Sequence, residues 1–178
     1  MLPTVIFDGC TLENFAIVNR LDLLDSRYGH RAAWTYTIKK EVTRGLKNAP
    51  HLQSILDAHW LGQPLDIGTT AEMSDIFDLC RRIGKLPSDS TPTRENLGEA
   101  EVIFLMDKSP TNWLFVTDDG PARDFARRRR LQVMNSAEVL ADCHAMGDIK
   151  CPDAYELLKR MANLGRGVYV PPSHRDIC

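Results

Sequence analysis

Apolar residues in this chain fall into two rhythms. Thr4 to Phe7, Trp113 to Thr117 and Leu131 to Met134 are short unbroken runs rich in β-branched and aromatic residues, the mark of strands buried on both faces. Between them lie longer stretches with apolar residues three and four apart, the spacing of amphipathic helices. Leu12 to Leu24 is predicted as one helix, with Leu12, Phe15, Ala16 and Leu23 on one side. Arg31 to Thr37, with Trp34, Thr35 and Tyr36, reads as a strand leading into a helix from Ile38 to Leu46, which Gly45 and Asn48-Ala49-Pro50 end. His51 to Trp60 and Ala71 to Ile83 read as further helices, separated by Gly62-Gln63-Pro64 and Gly68. A Pro/Ser/Asp loop from Leu86 to Pro92 precedes helices over Asn96 to Lys108 and Pro121 to Arg130. Ser136 to Met146 and Pro152 to Leu164 are two closing helices, with Ser136 and Asp153 near their N-termini. Alternating strands and helices predict an α/β fold with a central parallel sheet flanked by helices. No repeat, low-complexity tract or linker interrupts the pattern, so residues 1–178 are expected to form one domain.

Composition narrows the function classes. A content of 43 % hydrophobic residues in 178 supports a proper core. The net charge of −2 excludes recruitment of nucleic acid by bulk charge, so any such binding must use local patches. Aromatics at 7 % are too scarce for base stacking to be the main binding device. The first ten residues lack a basic segment with a long apolar run, and no stretch approaches the ~20 apolar residues of a membrane span. The chain is expected to be soluble and cytoplasmic, with no membrane contact. Cys10, Cys80, Cys143, Cys151 and Cys178 are an odd number without C-x-x-C spacing, which predicts reduced thiols. Cys143-His144 and Cys151 lack the second half of a zinc ligand set.

The informative chemistry is acidic. Asp8 ends the first strand run and Asp118-Asp119 ends the third, while Glu41 and Glu99 sit on the apolar faces of their helices. At about 100° per residue, Glu99 projects with Val102, Ile103 and Met106, and Glu101 projects to the opposite side beside Lys108. Glu101 is therefore expected to be solvated. Glu41 shares a face with Ile38, Val42 and Gly45. Each acid has an ordinary alternative: a turn at Asp8-Gly9, pairing of Glu41 with Lys40 or Arg44, a first-turn Glu99, an N-capping Asp before Pro121. Ligands of open parallel sheets sit beyond the carboxyl ends of the strands, where all four acids can converge. At ~4 Å and an effective dielectric of ~20, two carboxylates repel by about 4 kcal/mol, and a hard divalent cation relieves that repulsion. The pattern predicts a metal-dependent site acting on an anion such as phosphate.

Strand-Asp8, helix-Glu41, Gly98-Glu99-Ala100-Glu101-Val102-Ile103 and Val116-Thr117-Asp118-Asp119-Gly120-Pro121-Ala122-Arg123, in that order, resemble the PIN-domain ribonucleases. Within them the chain is similar to the toxins of type II (VapBC-like) toxin–antitoxin systems, as is Asn14-Phe15-Ala16 with Arg20-Leu21-Asp22-Leu23-Leu24. The resemblance implies a PIN-like core over about residues 4–135 and a C-terminal helical extension over about 136–170. It implies a catalytic quartet of Asp8, Glu41, Glu99 and Asp119 holding Mg²⁺ or Mn²⁺, with Asp118 a near equal of Asp119 as metal ligand. Thr117 is a supporting hydroxyl, and Asn14, Arg123 and Arg127 are substrate contacts, the two arginines belonging to a basic helix ending in Arg127-Arg128-Arg129-Arg130. The activity implied is endoribonucleolytic hydrolysis of RNA to 5′-phosphate and 3′-hydroxyl ends. Gly9, Cys10 and Glu13 depart from the usual family residues.

A toxin implies a cognate antitoxin. The apolar stripes of 51–60 (Leu52, Ile55, Leu56, Trp60) and 71–83 (Met73, Ile76, Phe77) either pack into the core or form a groove for an antitoxin helix or a second copy. Two rival readings stand beside the nuclease. One is a non-catalytic scaffold of the same fold binding RNA or protein. The other is a haloacid-dehalogenase-type phosphatase, which Val5-Ile6-Phe7-Asp8-Gly9-Cys10 faintly echoes with Cys10 where a second Asp is required.

Overall fold

The four runs predicted as strands all contribute to one sheet in the computed structural model, which describes residues 4–67, 70–86, 95–109 and 112–178. β1 (Val5–Phe7), β2 (Ala32–Ala33), β3 (Leu114–Val116) and β4 (Gln132–Met134) are parallel, in the order β2-β1-β3-β4. Val5, Ile6, Phe7, Phe115 and Val116 are fully buried, as unbroken apolar runs in a covered parallel sheet require. From β1 the chain departs to β2 on one side and returns to β3 on the other. The crevice at such a reversal, beyond the carboxyl ends of the strands, is where open parallel sheets bind ligands.

The helices are α1 (Gly9–Ile17), α2 (Leu21–Tyr28), α3 (Tyr36–Gly45), α4 (Gln53–Leu56), α5 (Thr70–Ile83), α6 (Leu97–Lys108), α7 (Gly120–Arg128), α8 (Ser136–Ala145) and α9 (Asp153–Asn163). The fold is therefore α/β with a parallel sheet flanked by helices, as the apolar rhythm predicts. One buried cluster runs from β1 through α9, so the two closing helices share the core of the sheet. Among the described residues no helix is long and apolar enough to cross a membrane.

Several expectations are corrected. The helix predicted over 12–24 is two helices, because Asn19 takes a left-handed conformation (φ 57°). The Asn19 and Arg20 amides then donate to the Ala16 and Phe15 carbonyls, closing α1. The strand expected over Arg31 to Thr37 stops at Ala33. Leu65 pairs instead with Trp34 and Tyr36, and Thr35 caps α3 by accepting from the Ile38 amide. His51 to Trp60 breaks into short pieces around α4, since Ala58 leaves helical geometry (ψ 90°). The apolar stripes offered as a partner groove are largely core: Leu52, Ile55 and Ile76 are buried, and Leu56, Trp60 and Met73 pack against them. Ser136 opens α8 as expected, and Asn135 caps it in a reciprocal pair of bonds with Glu138. Cys151 and Cys178 form a disulfide, against the expectation of reduced thiols, because the chain after α9 folds back beside the start of that helix. Cys10, Cys80 and Cys143 take part in no disulfide among the described residues. The loop predicted at Leu86 to Pro92 and the punctuation at Gly68 lie outside the described residues, apart from Leu86.

One polar clamp fastens the second helix layer. Arg27 on α2 donates to both oxygens of Asp142 on α8 (2.8 and 3.0 Å), and the buried Tyr28 hydroxyl donates to the same carboxylate (2.6 Å). The Arg27 bonds hold the Asp142 carboxyl below its usual pKa. Asp142→Ala orphans both donors and is expected to cost about 1–3 kcal/mol. That corresponds to a fall of several degrees in melting temperature, measurable by circular dichroism. The sign in pH follows from the lowered carboxyl. The stabilisation is complete above the unfolded Asp value of about 3.9 and is lost as pH falls toward the folded value, so the gap from wild type narrows in acid.

Candidate active site

The register of β1 and β3 builds the centre of the site. Phe7 pairs with Val116, so the next residues, Asp8 and Thr117, emerge side by side at the carboxyl ends of neighbouring strands. Thr117 is fully buried; its hydroxyl donates to Asp8 Oδ2 (2.8 Å) and accepts from the Asp119 amide (3.0 Å). It is a strut between two acids rather than an open contact. Cys10, on the first turn of α1, donates its thiol to the same Asp8 oxygen (2.6 Å). Asp119 caps α7 by accepting from the Ala122 amide through Oδ1 (2.7 Å).

Glu41 and Glu99 arrive from α3 and α6. A Cβ at Gly98 would stand 2.9 Å from Ile38 Cγ1 and 3.5 Å from Glu41 Oε2, so the glycine lets the two helices approach closely. The result is two adjoining hollows of about 250 and 260 Å³ that share Cys10 and Glu99. The first also holds Asp8, Glu13 and Glu41; the second holds Asn14, Asp118, Asp119 and Arg166. The two hollows together make up a recess at the strand-order reversal, with Asp8 and Glu41 lining one, Asp119 the other, and Glu99 both.

The electrostatics follow from that crowding. Burial, then the neighbouring Asp8 and Glu101 charges, raises Glu41 to about 7. Burial, with Asp8, Glu41 and Asp119 nearby, raises Glu99 to about 9. Burial raises Asp8, assisted by the charge of Asp119 and opposed by the Cys10 and Thr117 hydrogen bonds. Uncompensated negative charge is the property a divalent cation relieves. The donors are hard carboxylate oxygens, yet among the described residues no three His, Cys, Asp or Glu side chains close around one point. Such a set suits a hard divalent cation that is bound through one or two carboxylates while keeping several waters.

Three neighbours are tied into hydrogen bonds with distant parts of the chain. Asp118 Oδ2 accepts from Asn14 Nδ2 (2.7 Å), Thr11 Oγ1 (3.4 Å) and the Ser136 hydroxyl, and Oδ1 accepts from the Ser136 amide (3.0 Å). Both its oxygens are committed to tying α1 and α8 to the end of β3. Asn14 is buried with both ends of its amide engaged, donating to Asp118 and accepting from Arg166 Nε (2.7 Å). Glu101, expected to be solvated, is only 6 % exposed: its Oε1 accepts from Thr37 (2.5 Å) and its Oε2 is buried without a partner. The helical-face argument fails there because α6 is buried nearly all round, between α3, α5 and α7.

Arg166 is the residue lining the recess that sequence reasoning misses. It lies beyond α9, donates to Asn14 and pairs with Glu13 (2.8 Å), placing a cation in the acid recess. Its only signal is its setting in Gly165-Arg166-Gly167, an isolated cation on flexible backbone. Arg123 and Arg127 do not line the acid recess; they face a separate cavity along α7.

The model of one protein family, DUF3368, a PIN domain, matches residues 84–176, more than half of the chain. No curated protein and no solved structure matches. The matched stretch contains Glu99, Asp118, Asp119, Arg123, Arg127 and Arg166, while Asp8 and Glu41 precede it.

Proposed function

The chain belongs to the PIN-domain family, and from that premise we propose that it is a metal-dependent endoribonuclease hydrolysing RNA phosphodiester bonds. The family is one of nucleases acting on nucleic acid, typically with divalent metals, which leaves the phosphatase reading without support. The observation that carries the proposal is the convergence of Asp8, Glu41, Glu99 and Asp119 from four separate elements on one recess at the strand-order reversal. A non-catalytic scaffold has no use for such acids, whose mutual repulsion is costly without a cation.

In this reading Asp8, Glu41, Glu99 and Asp119 would hold one or two Mg²⁺ or Mn²⁺ ions, each through one or two of these carboxylates with waters completing its shell. When bound, the ion supplies Lewis-acid stabilisation of the charge that builds on the phosphate during attack by water. Thr117 fixes the spacing of Asp8 and Asp119. Asn14 and Glu13 aim Arg166, whose guanidinium receives the non-bridging oxygens of the scissile phosphate. Asp118 positions Asn14 and the start of α8. The scissile bond breaks to leave 5′-phosphate and 3′-hydroxyl ends.

A ribonuclease loose in the cytoplasm needs restraint, and the toxin reading supplies it through a cognate antitoxin. Leu52, Ile55 and Ile76 of the apolar stripes are buried in the core, which speaks against a groove there for that partner or a second copy. The direct test is incubation with labelled single-stranded RNA. Cleavage is expected with Mn²⁺ or Mg²⁺ and abolished by excess chelator; undiminished cleavage in chelator would sink the metal mechanism.

A further inference from the structure

A second cavity, of about 550 Å³, lies between α7, α8 and the segment after α9, outside the acid recess. That volume suits a ligand of nucleotide size. Its wall includes Arg123, Arg127, Asn135, Glu138, Tyr169 and Asp176. Arg123 lines the cavity, and its Nε is buried without a hydrogen-bond partner, so no bond at that atom holds the guanidinium away from an anion in the cavity. The acids in the wall are already engaged. Glu138 accepts from Arg127 (3.2 Å) and from the Asn135 amide (2.8 Å), and Asp176 accepts from the Ser173 amide (3.1 Å). Tyr169 presents an aromatic ring that is 56 % exposed.

Two elements run from the acid recess to this cavity. On α7, Asp119 lines the recess and Arg123 follows four residues later, about 6 Å along the helix axis. After α9, Arg166 lines the recess and Tyr169 follows three residues later, at most about 11 Å of backbone. One strand of RNA can therefore span both. The segment carrying Tyr169 is held by the Cys151–Cys178 disulfide, by Tyr155 donating to the Pro171 carbonyl (3.0 Å) and by burial of Ile177. A ring presented on an anchored segment loses little freedom when it stacks.

We propose that this cavity is a nucleotide subsite, in which Arg123 takes a phosphate and Tyr169 stacks a base of an RNA strand whose scissile phosphate lies at the acids. The proposal rests on the ribonuclease reading and adds how the substrate is gripped. The test measures binding of a fluorescently labelled single-stranded RNA decamer of mixed sequence, by anisotropy, to the full chain in chelator. Tyr169→Ala is expected to raise Kd about tenfold, while Tyr169→Phe, which keeps the ring, binds like wild type. Arg123→Gln is expected to weaken binding and to lower the slope of log Kd against log salt by about one. Should Tyr169→Ala loosen the fold, Tyr169→Leu keeps the apolar bulk without the π face and must lose binding as well. Equal Kd values for wild type, Tyr169→Ala and Arg123→Gln would overturn the subsite. So would loss of a co-purifying protein partner from these variants with RNA binding intact. Mn²⁺-dependent cleavage by wild type reads the nuclease proposal separately. Cleavage with no effect of Tyr169 or Arg123 on Kd leaves the nuclease and removes the subsite; Tyr169-dependent binding without cleavage does the reverse.

Discussion

Asp8→Asn is expected to lower RNA cleavage by about a thousandfold or more while leaving the fold intact. Asp8 is 2 % exposed and stands at the end of β1, at the centre of the acid recess. Asparagine keeps its shape, and Thr117 and Cys10 can reorient to meet an amide in place of a carboxylate. The change removes the ligand charge. A metal ion supplies several kcal/mol of transition-state stabilisation, and each 1.36 kcal/mol is about a factor of ten in rate, so a thousandfold loss corresponds to about 4 kcal/mol. The measurement is the initial rate of cleavage of labelled RNA in Mn²⁺, with circular dichroism as the control for folding. A folded variant retaining more than about a tenth of wild-type activity would remove Asp8 from the catalytic set.

The second large effect is on stability. The carboxyls of Glu41 and Glu99 are raised to about 7 and about 9, and Asp8 is raised in the same direction. Each keeps its proton in the folded state at a pH where the unfolded chain, with ordinary values near 4, has released it. The native state then binds more protons than the unfolded one, so stability falls as pH rises through this window. Metal-free protein is expected to melt highest near pH 5 and progressively lower toward pH 9. Mn²⁺ opposes the trend, because it binds the deprotonated acids of the native state. At a hundredfold excess over Kd it adds about 2.7 kcal/mol, a rise of about 5–10 °C for a chain of this size. Glu99→Gln should both flatten the metal-free pH curve and shrink the Mn²⁺ shift. A pH-independent melting temperature together with no response to Mn²⁺ would show that the acids do not share a field.

Much of this site is written into local pattern, because the relevant properties are local. An acid directly after an apolar run ends a strand, and an acid spaced with helical apolar residues points inward. Asp8, Glu41, Glu99 and Asp119 all satisfy such rules, and all four line the recess. The same reasoning misplaces Glu101, because a helical-face argument assumes one wet side and α6 has almost none. It cannot separate Asp118 from Asp119. Their difference lies in Asn14, Thr11 and Ser136, which reach Asp118 from elements far away in the chain. Arg166 is likewise invisible, since nothing near Gly165 and Gly167 says which acids the segment after α9 will meet.

By itself the sequence determined the α/β class, the parallel strands and the four inward acids, because burial periodicity and strand-end position are properties of a few neighbouring residues. Tertiary structure alone decided the break at Asn19, the early end of β2 and the pairing of Cys151 with Cys178. It also committed Asp118 to a framework role and brought Arg166 and Tyr169 alongside the acids and arginines of α7. Those outcomes depend on contacts between residues distant in the chain, whose energies no local pattern encodes.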